Sequence, residues 1–185
     1  MFEYFTENAL NAIIAAQKEA RRLGRNHVGT EHILLGIMSD NSDIARKILL
    51  NKGLTLDKIK LEVENITGQG TEDVEPEIPF TEHAKKVLQS AENISTKLGH
   101  NYIGQIHLLY GLVDTDSIAL KVFNNLGIDV KELKNHIKET LSGIQPMPLS
   151  IKTPTSYLIF KKSHFIISIF VIILLLLLVF YLFHA

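Results

Sequence analysis

Eight residues occur twice in this chain, as Gly29-Thr30-Glu31-His32-Ile33-Leu34-Leu35-Gly36 and, 75 positions later, as Gly104-Gln105-Ile106-His107-Leu108-Leu109-Tyr110-Gly111. The same order of features surrounds each copy: a Phe-Thr-Glu start, a long amphipathic stretch, Leu-Gly-x-Asn, the phrase, an Ile-Ala pair and a closing glycine. Pairing residues 5–42 with 80–117, and 44–67 with 118–141, gives 19 identities in 62 pairs with one single-residue gap. Self-similarity on this scale marks an internal duplication, so the fold must be built from two copies of one unit.

Each unit reads as four helices. Thr6 can cap a first helix with Glu7 in its opening turn and Ala9, Ile13, Ala16, Ala20 and Leu23 at helical spacing, stopped by Gly24. Thr30 can cap a short second helix with Ile33, Leu34, Ile37 and Met38 as its buried stripe. After the turn Asp40-Asn41-Ser42-Asp43, helices are expected from Ile44 to Lys52 and from Leu56 to Ile66. Thr81 opens the second set, which continues with Gln105–Val113, Ile118–Leu126 and Val130–Leu141. A unit of about 65 residues buries too little apolar surface to be comfortable alone. The two should pack as one all-α, eight-helix globule with pseudo-twofold symmetry over residues 1–143: repeat one 1–68, an acidic Gly- and Pro-punctuated linker 69–79, and repeat two 80–143.

Beyond Gly143 the pattern changes. Residues 144–164 contain Pro146, Pro148 and Pro154 among Ser and Thr, a tether that spans about 25 Å on average if flexible. From Phe165 to Phe183 every residue is apolar except Ser168 and Tyr181. At 1.5 Å rise such a run makes roughly 28 Å of helix, the thickness of a bilayer core, and predicts one transmembrane helix. Lys161-Lys162 precede it and Met1–Glu7 show no leader pattern, so the expected topology is a single pass with the N-terminal domain facing the cytoplasm or a plastid stroma.

Composition excludes several chemistries. The net charge is -1, and only Arg21-Arg22 with Arg25 form a basic cluster, better read as the cationic last turn of a helix than as a phosphate track; no nucleic-acid binding is expected. The absence of cysteine removes thiol nucleophiles and thiolate metal sites. Gly24-x-x-x-x-Gly29 has Thr30-Glu31 where a P-loop needs Lys and Ser or Thr, and Gly99-x-x-x-x-Gly104 fails in the same way, so no nucleotide site is expected. His32 and His107 match each other but lack partners at metal-ligand spacing and should hydrogen-bond within the fold. No catalytic constellation, metal or cofactor is expected; the chain reads as a non-enzyme.

The doubled phrase, the Phe-Thr-Glu starts, Ala20-Arg21-Arg22-Leu23-Gly24, Leu98-Gly99-His100-Asn101-Tyr102-Ile103-Gly104 and Glu77-Ile78-Pro79-Phe80-Thr81 closely resemble the N-terminal double Clp repeat domain of ClpC-type ATPases over residues 1–143. The chain is also similar, as such a domain joined to no motor, to ClpT-type proteins of plastids. The resemblance implies a domain that receives substrates and adaptor proteins for a Clp protease. The expected function is that of a non-catalytic, membrane-anchored adaptor or regulator, with Clp ATPase or protease subunits, adaptors or substrates as partners. The alternative is a stand-alone peptide or phosphoarginine receptor.

In that family a glutamate in each copy of the phrase can bind phosphorylated arginine. Glu31 matches the first position and Ile106 stands at the second, where it accepts no hydrogen bond. Thr6 is carried over as a phosphate neighbour, and Phe2 and Phe80 as a docking surface. For Glu31, an acid in a helix's first turn, and for the two phenylalanines, simple core packing, an architectural reading is equally open.

Overall fold

The structure is a computed structural model of the chain and describes residues 2–40, 43–68, 70 and 78–145. Among the described residues there are eight helices and no strand: α1 Glu7–Arg22, α2 Thr30–Ser39, α3 Ile44–Asn51, α4 Leu56–Thr67, α5 Glu82–Lys97, α6 Gln105–Asp114, α7 Ile118–Asn125 and α8 Val130–Ser142. No helix among them is long and apolar enough to cross a membrane. The expected membrane helix at 165–183, all but the first two residues of the tether, and most of the linker lie outside the described residues.

Short polar side chains start most of these helices. Thr6, Asp43, Thr55, Thr81, Ser117 and Asp129 each accept a hydrogen bond from an N–H in the first turn of the helix that follows. Helices α2 and α6 are the exceptions, and they are the helices of the repeated phrase. Gly29 and Gly104 are their N-caps, and the cap is made backwards: each glycine N–H donates to Nδ1 of the histidine three residues on, at 2.9 Å for His32 and 3.0 Å for His107. The expectation that Thr30 caps α2 is therefore corrected. Its hydroxyl is turned away from its own helix and accepts from the Ala119 N–H, at 3.1 Å.

The same two helices form the centre. Residues 30–38 and 105–113 are buried without a break, so α2 and α6 lack the polar face that an apolar stripe implies. Helix α1 lies on α2 and α5 lies on α6, and at both crossings a glycine lets the backbones meet. A Cβ on Gly36 would stand 2.1 Å from the Ala12 carbonyl oxygen, and one on Gly111 would stand 2.4 Å from that of Val87. One continuous apolar core runs through both repeats, from Ala9 and Leu34 to Leu109, Phe123 and Leu141.

The repeats are joined by crossed pairing. The Phe5 segment, which leads into α1, forms a parallel bridge with Ile103 ahead of α6; the Phe80 segment, which leads into α5, forms one with Val28 ahead of α2. Thr6 N–H donates to the Ile103 carbonyl at 2.9 Å, and Thr81 N–H donates to that of Val28 at 3.0 Å. Each repeat's first helix thus starts against the other repeat's phrase.

Candidate functional site

Glu31 is the second residue of α2 and is 6% exposed. Its carboxylate folds back over Gly29, within reach of its own backbone N–H and 3.5 Å from the Thr30 hydroxyl. Burial pushes its pKa up, against the opposing pull of its own N–H, the Arg25 guanidinium and Thr30. His32 Nδ1 lies 3.4 Å from the same carboxylate, but this is no ion pair at neutral pH. That nitrogen already accepts from Gly29 N–H, and burial, with Arg25 nearby, lowers the His32 pKa to about 4. His32 is therefore neutral, with its proton on Nε2.

The carboxylate opens onto a cleft of about 700 Å³ walled by the loop Gly24–His27, the end of α4 at Ile66 and Thr67, Gly70, Thr81 and Ile118. Arg25 forms one side, its guanidinium donating to the carbonyls of Thr67 and Gly68 at the C-terminal end of α4, where cations are favoured. The cleft thus presents a nearly dry carboxylate, a threonine at a helix start and an occupied guanidinium. A ligand cation seated on Glu31 would hold the carboxylate charged and could form a bidentate pair if it were a guanidinium.

The residues singled out in the sequence are not all brought together. Thr6 lies at the other phrase, its hydroxyl capping Ala9 N–H and lying 4.0 Å from where a Cβ on Gly104 would stand. The threonine at the Glu31 cleft is Thr81, from the second repeat. Sequence reasoning missed Thr81 because both threonines occupy the same repeat position, and the repeat does not say whether each faces its own phrase or the other's. Phe2 and Phe80 do meet, with ring centroids 6.2 Å apart, and Phe5 packs edge-on against Phe2 at 5.0 Å; all three are partly buried against the core.

The matching position in the second phrase has different chemistry. Ile106 is 4% exposed, and the counterpart of Arg25 is His100. His107 Nδ1 accepts from Gly104, so its Nε2 carries the proton and donates to His100 Nδ1 at 2.8 Å. Tyr102 stacks on His100, and the Ser95 hydroxyl donates to the Tyr102 carbonyl. Burial, with His100 adjacent, lowers the His107 pKa to about 4. The result is an aromatic and imidazole cluster in which position 106 itself offers no carboxylate; the cleft of about 200 Å³ beside it is lined by Glu92, Ser95, His100 and Tyr102 among others.

Comparison with known proteins accords with this architecture. The Clp repeat (R) N-terminal domain matches residues 4–105 and 79–155. The chain is 49% identical over 138 residues to the ATP-dependent Clp protease ATP-binding subunit ClpA homolog of Cyanidium caldarium, a match covering 74% of this chain and 16% of that much longer protein. Among solved structures, the N-terminal domain of the Caseinolytic protease associated chaperone ClpD from Arabidopsis thaliana superposes with a TM-score of 0.65 at 32% identity, covering 77% of this chain and 97% of that one. A ClpV N-domain solved in complex with VipB peptide has the same fold, with a TM-score of 0.56 at 20% identity, 75% of this chain and 88% of that one. With eight helices among the described residues, in two matching sets with both copies of the phrase at their centre, the chain belongs to the Clp repeat N-terminal domain family.

Proposed function

We propose that this chain is a non-catalytic, membrane-anchored adaptor or regulator of Clp-type chaperone–protease machinery. Its globule binds substrates, adaptor proteins or Clp subunits, and residues 165–183 hold it at a bilayer. The observation that carries this reading is the joining, in one sequence, of a Clp N-terminal domain to a 19-residue apolar run preceded by Lys161-Lys162. Peptide binding, seen for a ClpV N-domain of the same fold, is carried over to this globule. The lysine pair favours a cytoplasmic or stromal globule.

The test is recovery of Clp ATPase or protease subunits with the crosslinked full chain from solubilised membranes. Repeated absence of any Clp subunit rejects the adaptor reading. Alkaline extraction should leave the chain in the membrane, and protease added to vesicles should show on which side residues 1–143 lie. Release by alkali rejects the anchor.

The Glu31 cleft favours a second reading, a stand-alone receptor for peptides carrying arginine or phosphoarginine. Titration of the full chain with phosphoarginine separates the two: binding that Glu31→Ala abolishes, in a chain that recovers no Clp subunit, establishes the receptor alone.

A further inference from the structure

We infer that Gly29 is the residue that sets where the Glu31 carboxylate sits, and so whether the phrase that carries this carboxylate can take a cationic ligand; this deepens the ligand reading of the Glu31 cleft and rests on it. The two N-cap glycines of the phrase look interchangeable. Their backbones are alike, with φ of -91° at Gly29 and -96° at Gly104, in a region open to any residue. Both donate to a histidine three residues on, so neither glycine is required by its backbone or by its cap.

What distinguishes them is the space beside the α-carbon. A Cβ on Gly29 would lie 2.2 Å from Glu31 Oε1, 2.5 Å from Oε2 and 2.6 Å from Cδ. The nearest three atoms to that missing Cβ all belong to the Glu31 carboxyl group, which fills the space a side chain would take. A Cβ on Gly104 would meet nothing closer than 3.7 Å, an ordinary contact with the His107 and Tyr102 rings. The glycine at 29 therefore serves the carboxylate, whereas the glycine at 104 has no such neighbour to accommodate. The obstacle is the end of a flexible side chain and not backbone, so a methyl group at 29 expels the carboxylate toward the cleft without forcing the helix to move. Tucked over the first turn, the carboxylate is dry, held by its own N–H and faced by Arg25; expelled, it is hydrated and loses that N–H.

The experiment uses the full chain and five variants: Gly29→Ala, Gly104→Ala, Glu31→Gln, Glu31→Ala, and Gly29→Ala combined with Glu31→Ala. Carbon-13 NMR of labelled glutamate, with the Glu31 signal identified by its loss in Glu31→Gln, follows the carboxyl through a pH titration. The Glu31 midpoint should fall toward the ordinary glutamate value in Gly29→Ala and stay in place in Gly104→Ala. Melting should show the matching coupling: Gly29→Ala lowers the Tm in the parent chain and changes it little when residue 31 is alanine. Phosphoarginine affinity should drop at least tenfold in Gly29→Ala and stay within twofold in Gly104→Ala. An unchanged Glu31 midpoint in Gly29→Ala, or an equal shift in Gly104→Ala, overturns the inference. If phosphoarginine does not bind the parent chain, the ligand reading falls, and the titration and melting still uphold or overturn the role of Gly29 in placing the carboxylate.

Discussion

The Thr30 hydroxyl of the first repeat accepts the Ala119 N–H, the second N–H of α7 in the second repeat, across 89 positions of sequence. Its dyad mate, Gln105, reaches the other way, its amide donating to the Asp40 carboxylate at 2.8 Å and the Asn8 carbonyl at 3.0 Å. The first residue of each central helix thus fastens the opposite repeat. Thr30→Val keeps the shape and removes the acceptor, leaving a buried N–H unpaired, and should destabilise the domain by about 1–3 kcal/mol. Denaturant unfolding would measure it, and Thr55→Val, which disturbs a longer bond at an exposed cap, should cost less.

The helix crossings should tolerate no side chain. A methyl at Gly36 or Gly111 strikes a carbonyl oxygen of the facing helix, which can move only by separating the helices. Gly36→Ala and Gly111→Ala should each cost about 3 kcal/mol, even after the roughly 1 kcal/mol that better helix propensity returns. Thermal melting of the two variants against Gly143→Ala, whose Cβ would meet nothing nearer than 3.6 Å, tests this.

Thr81 and Thr6 form a matched pair for ligand binding. Both cap a helix through the same hydrogen bond, so Thr81→Val and Thr6→Val should lower stability alike, by about 1 kcal/mol each. Only Thr81→Val should weaken phosphoarginine binding at Glu31, because only Thr81 lines that cleft. Calorimetry on both variants gives the answer, and equal weakening would place the ligand elsewhere.

Acid should attack the cap shared by the two central helices. His32 and His107 both have folded-state pKa values near 4, below the 6.5 of the free side chain, so the folded state disfavours protonation. The stability this represents is fully present above pH 6.5 and is lost as pH falls toward 4, on the order of 3 kcal/mol for each histidine. Glu31, raised by burial, works in the opposite sense: the folded state gains from its protonation as pH falls through its folded value. Unfolding free energy measured from pH 8 to pH 4.5 should therefore fall steeply below 6.5, and His107→Gln should flatten that slope by about half.

The helices were legible in the sequence because local signals agreed: a capping residue, apolar spacing and a glycine stop recur at Thr6 to Gly24 and again at Thr81 to Gly99, where both glycines adopt positive φ. The start of α2 was misread because Thr30 has the right chemistry for a cap, and only the tertiary structure reveals that Ala119 claims its hydroxyl. The full burial of α2 was hidden for a related reason. Thr30, Glu31 and His32 look like the polar start of an amphipathic helix, yet each is turned inward to a partner. For the site, Glu31 could be picked out as the carboxylate that the second phrase lacks. The companion threonine could not, since Thr6 and Thr81 differ only in which phrase they face.

The crossed bridges also set an order on assembly. The Phe5 segment forms its bridge with Ile103, 98 positions on. During synthesis α1 and α2 can meet early, across the Gly36 contact, but until Ile103 has left the ribosome the segment before α1 has its own turn, Phe5 N–H to the Phe2 carbonyl, and lacks the bonds that Thr6 N–H and the Tyr4 carbonyl make to Ile103. A nascent chain stopped short of that point leaves the Tyr4 carbonyl and the Thr6 N–H without these partners, a loose end that only the arrival of Ile103 can close.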